Sequence, residues 1–397
     1  MNVILHDRRA LSGVSETPGR FVFSGPGGTI GSDGDHAPVE GGTADTLDRR
    51  LADAWRNSGP DAVIGGALPF RRDRPDHLWR ALRGGSRPAS QAARDGTDNP
   101  SPRLTPVPGP DAYADAVARA ERLLRQQAGL AQGLRKIVLA RTLVATMPHP
   151  IQPDAVLARL AEDDSVTAFR VGLPDAEGRP RTLIGATPEL LVEKRGAAVL
   201  SHPLAGSARR CRDMARDADR AAALARSEKD RREHAMVVEY ILDTLAPLCR
   251  QLDCPDGTRL TSTRSMWHLG TRIRGQLRDD SVPVPILAAR LHPTPAVCGL
   301  PCAEAAGQIA RLEPMDRGFY AGAVGWSDPR GDGAWHVAIR CAEICGAEAR
   351  LFAGAGIVEG SDPWAETAET GGKFAAMLRA LGLPDDAALS PAREDRA

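Results

Sequence analysis

From residue 111 onward the chain is written in short apolar runs, several of them paired and bounded by glycine or turn residues, with helical stretches dispersed among them. That pattern admits few folds. Lys136-Ile137-Val138-Leu139-Ala140-Arg141 reads as a strand, and 182–186 and 190–192 read as strands around a Thr-Pro-Glu turn. Further strands are expected at 273–277, 321–326, 335–341 and 350–357. Helical spacing of apolar residues predicts helices over 111–128, with Asp111 as the cap, and over 228–248, 303–312 and 364–381. No regular strand–helix–strand alternation runs through the sequence. An antiparallel α+β core therefore fits better than a doubly wound parallel sheet.

The N-terminal third is harder to read. Phe21-Val22-Phe23 is a strand candidate that runs into Ser24-Gly25-Pro26-Gly27-Gly28-Thr29. This glycine loop lacks the Lys-Ser/Thr ending of a phosphate loop and a helix signal behind it. Residues 82–110, rich in Gly, Pro, Asn-Pro and Asp-Gly, read as a linker or surface excursion, and 382–397 as a disordered tail. Lys plus Arg and Asp plus Glu both number 51, so nothing in the charge balance points to nucleic acid or an anionic membrane. No apolar run has the length of a signal peptide or a membrane span. The seven cysteines include pairs four apart, Cys298 with Cys302 and Cys341 with Cys345, but no CxxC pair. They read as free thiols in a reducing cytoplasm, not as zinc ligands. A cytoplasmic monomer acting on a small molecule is the expectation.

Polar residues gather where a plain core would not need them. Asp230 and Glu233 lie three apart on one predicted helix, and Glu366 and Glu369 three apart on another, with Lys373 four further on. Two such carboxylate pairs could converge on one hard cation, and magnesium suits a few carboxylates plus exchangeable waters. Each pair taken alone is more readily read as acidic residues favouring a helix N-terminus and facing solvent. Gly354-Ala355-Gly356 would let a ligand approach the backbone closely. Tyr320 and Arg340, on two arms of an expected hairpin, could together hold a carboxylate. The turn-rich loop 291–301 ends at a helix.

Nine segments, in this order, resemble the chorismate-utilising enzymes: anthranilate, aminodeoxychorismate, isochorismate and salicylate synthases. They are KIVLAR at 136–141, ATPELL at 186–191, HPLAGSARR at 202–210, EKDRREH at 228–234, MWHLGTRIRG at 266–275, LHPTPAVCG at 291–299, RGFYAGAVGW at 317–326, HVAIRCA at 336–342 and AGAGIVEGSDPWAETAETGGK at 353–373. The resemblance covers 111–381. It implies an α+β fold of two large packed antiparallel sheets with helices outside, 1–110 being a divergent part of the same fold. It implies magnesium bound by Glu233 and Glu369, with Asp230 and Glu366 as their partners, and chorismate as substrate. By the same resemblance Lys373 lies near the ring carboxylate. Tyr320, Arg340 and the amides of Gly354 and Gly356 hold the enolpyruvyl carboxylate, while His268 and Ala296 line the ring pocket.

Among these enzymes, members that add water are similar in a lysine at the place of Lys136, and Glu189 matches the acid on the opposite face. The HPTPAV loop also resembles isochorismate synthases. A lysine can deprotonate water only when it is neutral, and a carboxyl can protonate a departing hydroxyl only when it is protonated; burial favours both states. The two side chains are thus expected to face each other across the ring pocket without an ion pair between them. The resemblance implies an isochorismate synthase, with salicylate synthase as the nearest alternative. An ammonia-using synthase and a non-catalytic carboxylate-binding relative stand further off. Siderophore and menaquinone pathways both stay open. Two features depart from the pattern: Ala334 stands where an acidic residue is common, and Gly371-Gly372 inside a helix costs about 1 kcal/mol per glycine relative to alanine.

Overall fold

The strand Lys136–Thr146 organises the chain. Along one edge it pairs with Glu348–Ile357 over ten residues, from Glu348 opposite Thr146 to Ile357 opposite Ile137. Along the other it pairs with Arg103–Val107 and, at Lys136 and Ile137, with Gly299–Leu300. Nearly every residue of this strand is buried, which its Val, Leu, Ile and Ala content allows. Side chains alternate along a strand, so Lys136, Val138 and Ala140 share one face, opposite Gly356 and Gly354 of the neighbour. That face becomes the floor of the site described below.

In the computed structural model, residues 20–56, 58–84 and 101–388 are described. Among them seventeen strands join one hydrogen-bonded network, and a separate three-stranded sheet is built from Leu204–Arg209, Met266–Thr271 and Thr258–Ser262. The strands pair antiparallel and form two large layers with helices packed outside, an α+β fold. The N-terminal strands are woven into the same network: Phe21–Gly25 pairs with Thr167–Ala176, and Ala62–Leu68 with Ala323–Ser327. The glycine loop at 24–29 is the tight turn of the hairpin joining Phe21–Gly25 to Gly28–Pro38, with Ser24 and Thr29 hydroxyls 2.9 Å apart.

Several local expectations need correction. Arg103–Val107 lies inside the stretch read as a linker, yet it is a strand; its pairing with Thr142–Thr146 overrides the proline-rich local signal. Residues 85–100 and 389–397 lie outside the described residues. The first long helix is Pro110–Gln127, capped by Gly109, so Asp111 sits within its first turn. The expected strand 335–341 is two, Gly333–Val337 and Cys341–Cys345. Arg340 falls between them at φ +52°, a left-handed conformation rare for a side chain of its size. The helix expected over 364–381 divides into Pro363–Lys373 and Ala375–Ala380 at Phe374, whose ring fills a second apolar core with Met377, Leu378 and Leu157.

Helix Glu228–Leu245 begins where the Ser227 hydroxyl accepts from the Asp230 amide, and it packs on Leu204–Arg209. Helix Pro363–Lys373 begins where Asp362 accepts from the amides of Trp364 and Ala365, and it packs on Glu348–Ile357. Both carboxylate pairs therefore enter from well-anchored helix starts.

Beneath the floor lies a buried ion pair. Arg317 and Glu313 are each about 3% exposed or less, and the guanidinium reaches Glu313 in two places. It also donates to the carbonyls of Val138 and Val297 at 2.7 Å, and Glu313 accepts from the Ala140 amide at 2.7 Å. One pair thus ties the central strand, the 291–301 loop and the turn before Tyr320 together. Arg317→Met should destabilise the chain by roughly 3–5 kcal/mol, because it strands a buried carboxylate. Guanidinium unfolding monitored by circular dichroism measures this, and Glu313→Gln in the same chain should recover part of the loss.

Candidate active site

Eleven of the thirteen residues singled out from sequence line one cavity: Glu189, Asp230, Glu233, His268, Ala296, Tyr320, Arg340, Gly354, Gly356, Glu369 and Lys373. Val138, Ser207, Gly206 and Lys229 join them. The remaining two stand just behind the wall. Lys136 is fully buried, with its ammonium 2.9 Å from Glu233 Oε1, and Glu366 is held by Lys229.

The floor must be glycine. A Cβ on Gly356 would lie 2.1 Å from Glu233 Oε1, and one on Gly354 would lie 2.9 Å from the Tyr320 hydroxyl. Their partners Ala140 and Val138 turn their amides away from this strand, to Glu313 and the Cys298 carbonyl, and the absence of side chains at 354 and 356 leaves room for a carboxylate and a phenol. Gly206, at φ +77°, does the same for Asp230, whose Cβ stands 2.9 Å from where a side chain would begin.

Charge in this space is interdigitated. Lys136 pairs with Glu233, Lys229 with Glu366 at 2.5 Å, and Lys373 with Glu369 at 2.5 Å. Lys373 also donates to the Gly354 carbonyl at 2.8 Å, and Ser207 donates to Glu369 at 3.1 Å. Burial pushes the Asp230 carboxyl above its usual range, with Glu233 and Glu369 adding to the rise. Burial and Glu369 also push Glu366 up, despite Lys229. Glu369 is held below its usual range: burial opposes this, but Lys373, Lys229 and Ser207 prevail. The acids are thus close enough to repel one another, and the lysines offset that repulsion. Among the described residues, no group of three or more His, Cys, Asp or Glu side chains is gathered as it would be around an ion.

Lys136 does not present its amine to the cavity as the sequence reading anticipated. A buried ammonium seeks the nearest carboxylate, and Glu233 is nearer than open space. The contact is an ion pair without an aligned hydrogen bond, since Lys136 Nζ has no hydrogen-bond partner among the described residues.

The opposite side is drier. Glu189 is 3% exposed, in the turn between Arg179–Thr187 and Leu190–Arg195, and its amide donates to the Thr187 hydroxyl at 3.2 Å. Burial raises its carboxyl to about 7, against the backbone amide of Leu204 and the charges of Lys136, Arg340 and Lys373. It stands within the field of Lys136, while the ion pair of Lys136 is with Glu233. Burial, aided by Arg340 and Lys373, holds the His268 imidazole well below its usual value. Its ring is therefore neutral, and its Nε2 has no hydrogen-bond partner among the described residues. Tyr320 stacks on Phe352 with centroids 4.9 Å apart, and its hydroxyl is pushed up by burial. The left-handed turn at Arg340 aims the guanidinium into the cavity while the Arg340 carbonyl accepts from the Ala186 amide at 3.1 Å. Lys229, Ser207, Gly206 and the Arg317–Glu313 pair were not singled out from sequence. All but Glu313 lie within the quoted segments, but their contacts cross the fold and have no local signature.

A buried acid with a raised pKa, three cationic side chains and three further carboxylates in one cavity, with Lys136 and Glu366 just behind its wall, form an arrangement suited to a small polyanion and to proton transfer. The family model for chorismate binding enzymes matches residues 72–382. The chain belongs to that family. It is 42% identical over 354 residues to the isochorismate synthase DhbC of Bacillus subtilis, covering 85% of this chain and 86% of that one. Its structure resembles that of DhbC from Bacillus anthracis, with 38% identity, a TM-score of 0.83, and 92% and 96% of the two chains covered. It also resembles MenF, the menaquinone-specific isochorismate synthase of Escherichia coli, with 25% identity, a TM-score of 0.74, and 91% and 88% covered. No helix of this chorismate-binding chain is long and apolar enough to cross a membrane among the described residues.

The folded chain holds the Glu189 proton more tightly than the unfolded chain, with a value near 7 against 4.5. Its stability should fall as pH rises through that window, by about 3 kcal/mol in all. Glu189→Gln should match wild type below pH 4.5 and exceed it above pH 7. Denaturant titrations at a series of pH values test this, and parallel curves for the two proteins would show that Glu189 is not the buried acid.

Proposed function

We infer that the protein is an isochorismate synthase, converting chorismate reversibly to isochorismate. The observation that carries this reading is the buried Glu189 carboxyl, raised to about 7, in a cavity with Lys136 just behind its wall, in a member of the chorismate-binding family. The isochorismate synthases similar to it over most of their length support the choice of reaction.

The chemistry assigns a task to each group. Water adds to carbon 2 of the ring, the double bonds shift, and the hydroxyl on carbon 4 leaves. Hydroxide is a poor leaving group, so Glu189 donates a proton to it. Lys136, having released its own proton to solvent on parting from Glu233, takes one from the incoming water, while Glu189 gives one to the departing hydroxyl, so atoms and protons balance. Tyr320, Arg340 and the amides of Gly354 and Gly356 hold the enolpyruvyl carboxylate, with His268 and Ala296 along the ring. Lys373 lies toward the ring carboxylate.

Magnesium fits the donor set. Glu233 and Glu369, with Asp230 and Glu366 beside them, supply hard oxygen ligands, and the glycine at 356 keeps room at Glu233. Such an ion, when bound, supplies positive charge to the ring carboxylate. The cavity measures about 70 Å³, below the roughly 300 Å³ at which small-molecule pockets begin. Lys136, Lys229 and Lys373 must therefore leave their carboxylates as the site fills. Release from Glu233 lets the Lys136 amine turn toward the ring.

Incubation with chorismate and magnesium, with products separated by chromatography and identified by mass and absorbance, should show an isomer of unchanged mass and the same equilibrium mixture from either side. Salicylate as the main product would replace this reading with that of a salicylate synthase. Lys136→Gln and Glu189→Gln should each lower turnover about 100-fold or more with little change in chorismate binding.

Removal of magnesium by chelation should abolish turnover, as should Glu233→Ala and Glu369→Ala. Substrate should tighten metal binding in calorimetric titrations, because its carboxylate completes the coordination. Full activity of chelator-treated protein would exclude the metal.

A further inference from the structure

Two thiols stand in contact outside the cavity, and the proposed reaction uses neither. Cys302 is the first residue of helix Cys302–Leu312, where unpaired amides and the helix dipole favour negative charge. It is half-buried and opens on a cleft of about 820 Å³ lined by Phe70, Tyr240, His292, Ile309 and Met315. Cys298 lies beneath it and is fully buried. The Cys298 thiol donates to the Cys302 carbonyl at 3.4 Å. The Cys302 thiol donates to the carbonyls of Gly299 at 3.2 Å and Pro293 at 3.5 Å. The donor Cys298 holds the Cys302 thiol below its usual range, and Tyr240 adds to this against burial. The Cys298 thiol is pushed up by its contact with Cys302 and by burial. Cys211, Cys254 and Cys345 are also partly exposed, but none of them opens a helix.

An accessible thiol at a helix start, beside a second, buried thiol, is the arrangement of an oxidation-sensitive pair. We propose that Cys302 is a peroxide-reactive thiol and Cys298 its resolving partner, so that mild oxidation closes a Cys298–Cys302 disulfide. The Cys302 thiolate attacks one peroxide oxygen, forming a sulfenic acid as the other oxygen leaves and takes a proton to become water. The Cys298 sulfur then attacks the Cys302 sulfur. Its own proton leaves with the displaced hydroxide as a second water. Two thiols lose two electrons in all, and one peroxide gains them.

The bond has a route to the active site. Cys298 precedes Gly299–Leu300, which pairs with Lys136 and Ile137, and the Cys298 carbonyl accepts from the Val138 amide at 2.8 Å. A Cβ on Gly299 would lie 2.3 Å from the Lys136 carbonyl, so this contact has no slack. Drawing Cys298 toward Cys302 shifts the backbone that seats Lys136, and turnover falls with it. This last consequence rests on the isochorismate synthase reading; the disulfide does not.

The test treats the full chain with equimolar hydrogen peroxide, alkylates the remaining thiols and maps peptides by mass. The expected result is loss of two of the seven thiols, both from the peptide carrying 298 and 302, with a mass lower by two hydrogens and full reversal by dithiothreitol. Cys298→Ser should leave Cys302 as a sulfenic acid captured by dimedone. Cys302→Ser should leave Cys298 reduced at the same dose. First oxidation at Cys211, Cys254 or Cys345, or a 298–302 peptide that stays reduced, overturns the proposal. Turnover should fall in step with the disulfide and recover on reduction, but not change in Cys302→Ser. A disulfide that leaves turnover unchanged overturns the link to Lys136. A reduced protein inactive on chorismate would count against the functional reading alone, because the mass map does not depend on it.

Discussion

Everything in the site depends on how charge is buried around the strand Lys136–Thr146. Lys136 has no exposed surface, yet it carries an amine whose nearest partner is Glu233, on a helix 97 positions further along the chain. A buried ammonium without a carboxylate would cost several kcal/mol, so strand and helix must meet at that point. The meeting requires that the neighbouring strand offer no side chain there, and it offers Gly356. A second pair, Arg317 with Glu313, holds the same strand from below through the Val138 carbonyl and the Ala140 amide. The strand is thus held by two buried ion pairs, one beneath the floor and one at the cavity wall.

The same economy of charge governs the pairing of side chains around the cavity. Four carboxylates brought together from two helices would repel one another in a medium poorer in water than the surface. Three lysines neutralise three of them, and burial raises the Asp230 carboxyl.

Much of the architecture was legible along the chain. The helix at 228–245 announces itself by Val237, Ile241 and Leu245 on one face, and the strand at 136–146 by its apolar run. The carboxylate pairs were visible because three residues make nearly one helical turn. Arg103–Val107 was not legible, because its strand conformation comes from a neighbour it meets only after folding. Arg340 was placed on a strand by its surroundings in sequence, but the chain turns left-handed there, held by a backbone bond to Ala186. The break at Phe374 likewise follows from the apolar core that receives its ring, and Gly371 and Gly372 end up buried in the last turn before it.

The order of the polar residues along the chain determined which chemical groups are present: an acid, a lysine, two carboxylate pairs and a glycine floor. Their spacing also determined that each carboxylate pair shares a helix face. Only the tertiary structure decided which group meets which. Lys136 faces Glu233 and not open cavity, Lys229 takes Glu366, and Glu189 becomes a neutral acid near pH 7. The reason is physical: local pattern governs backbone conformation over a few residues, whereas ion pairing and burial depend on distances in space, and those are set by contacts between segments far apart in the chain.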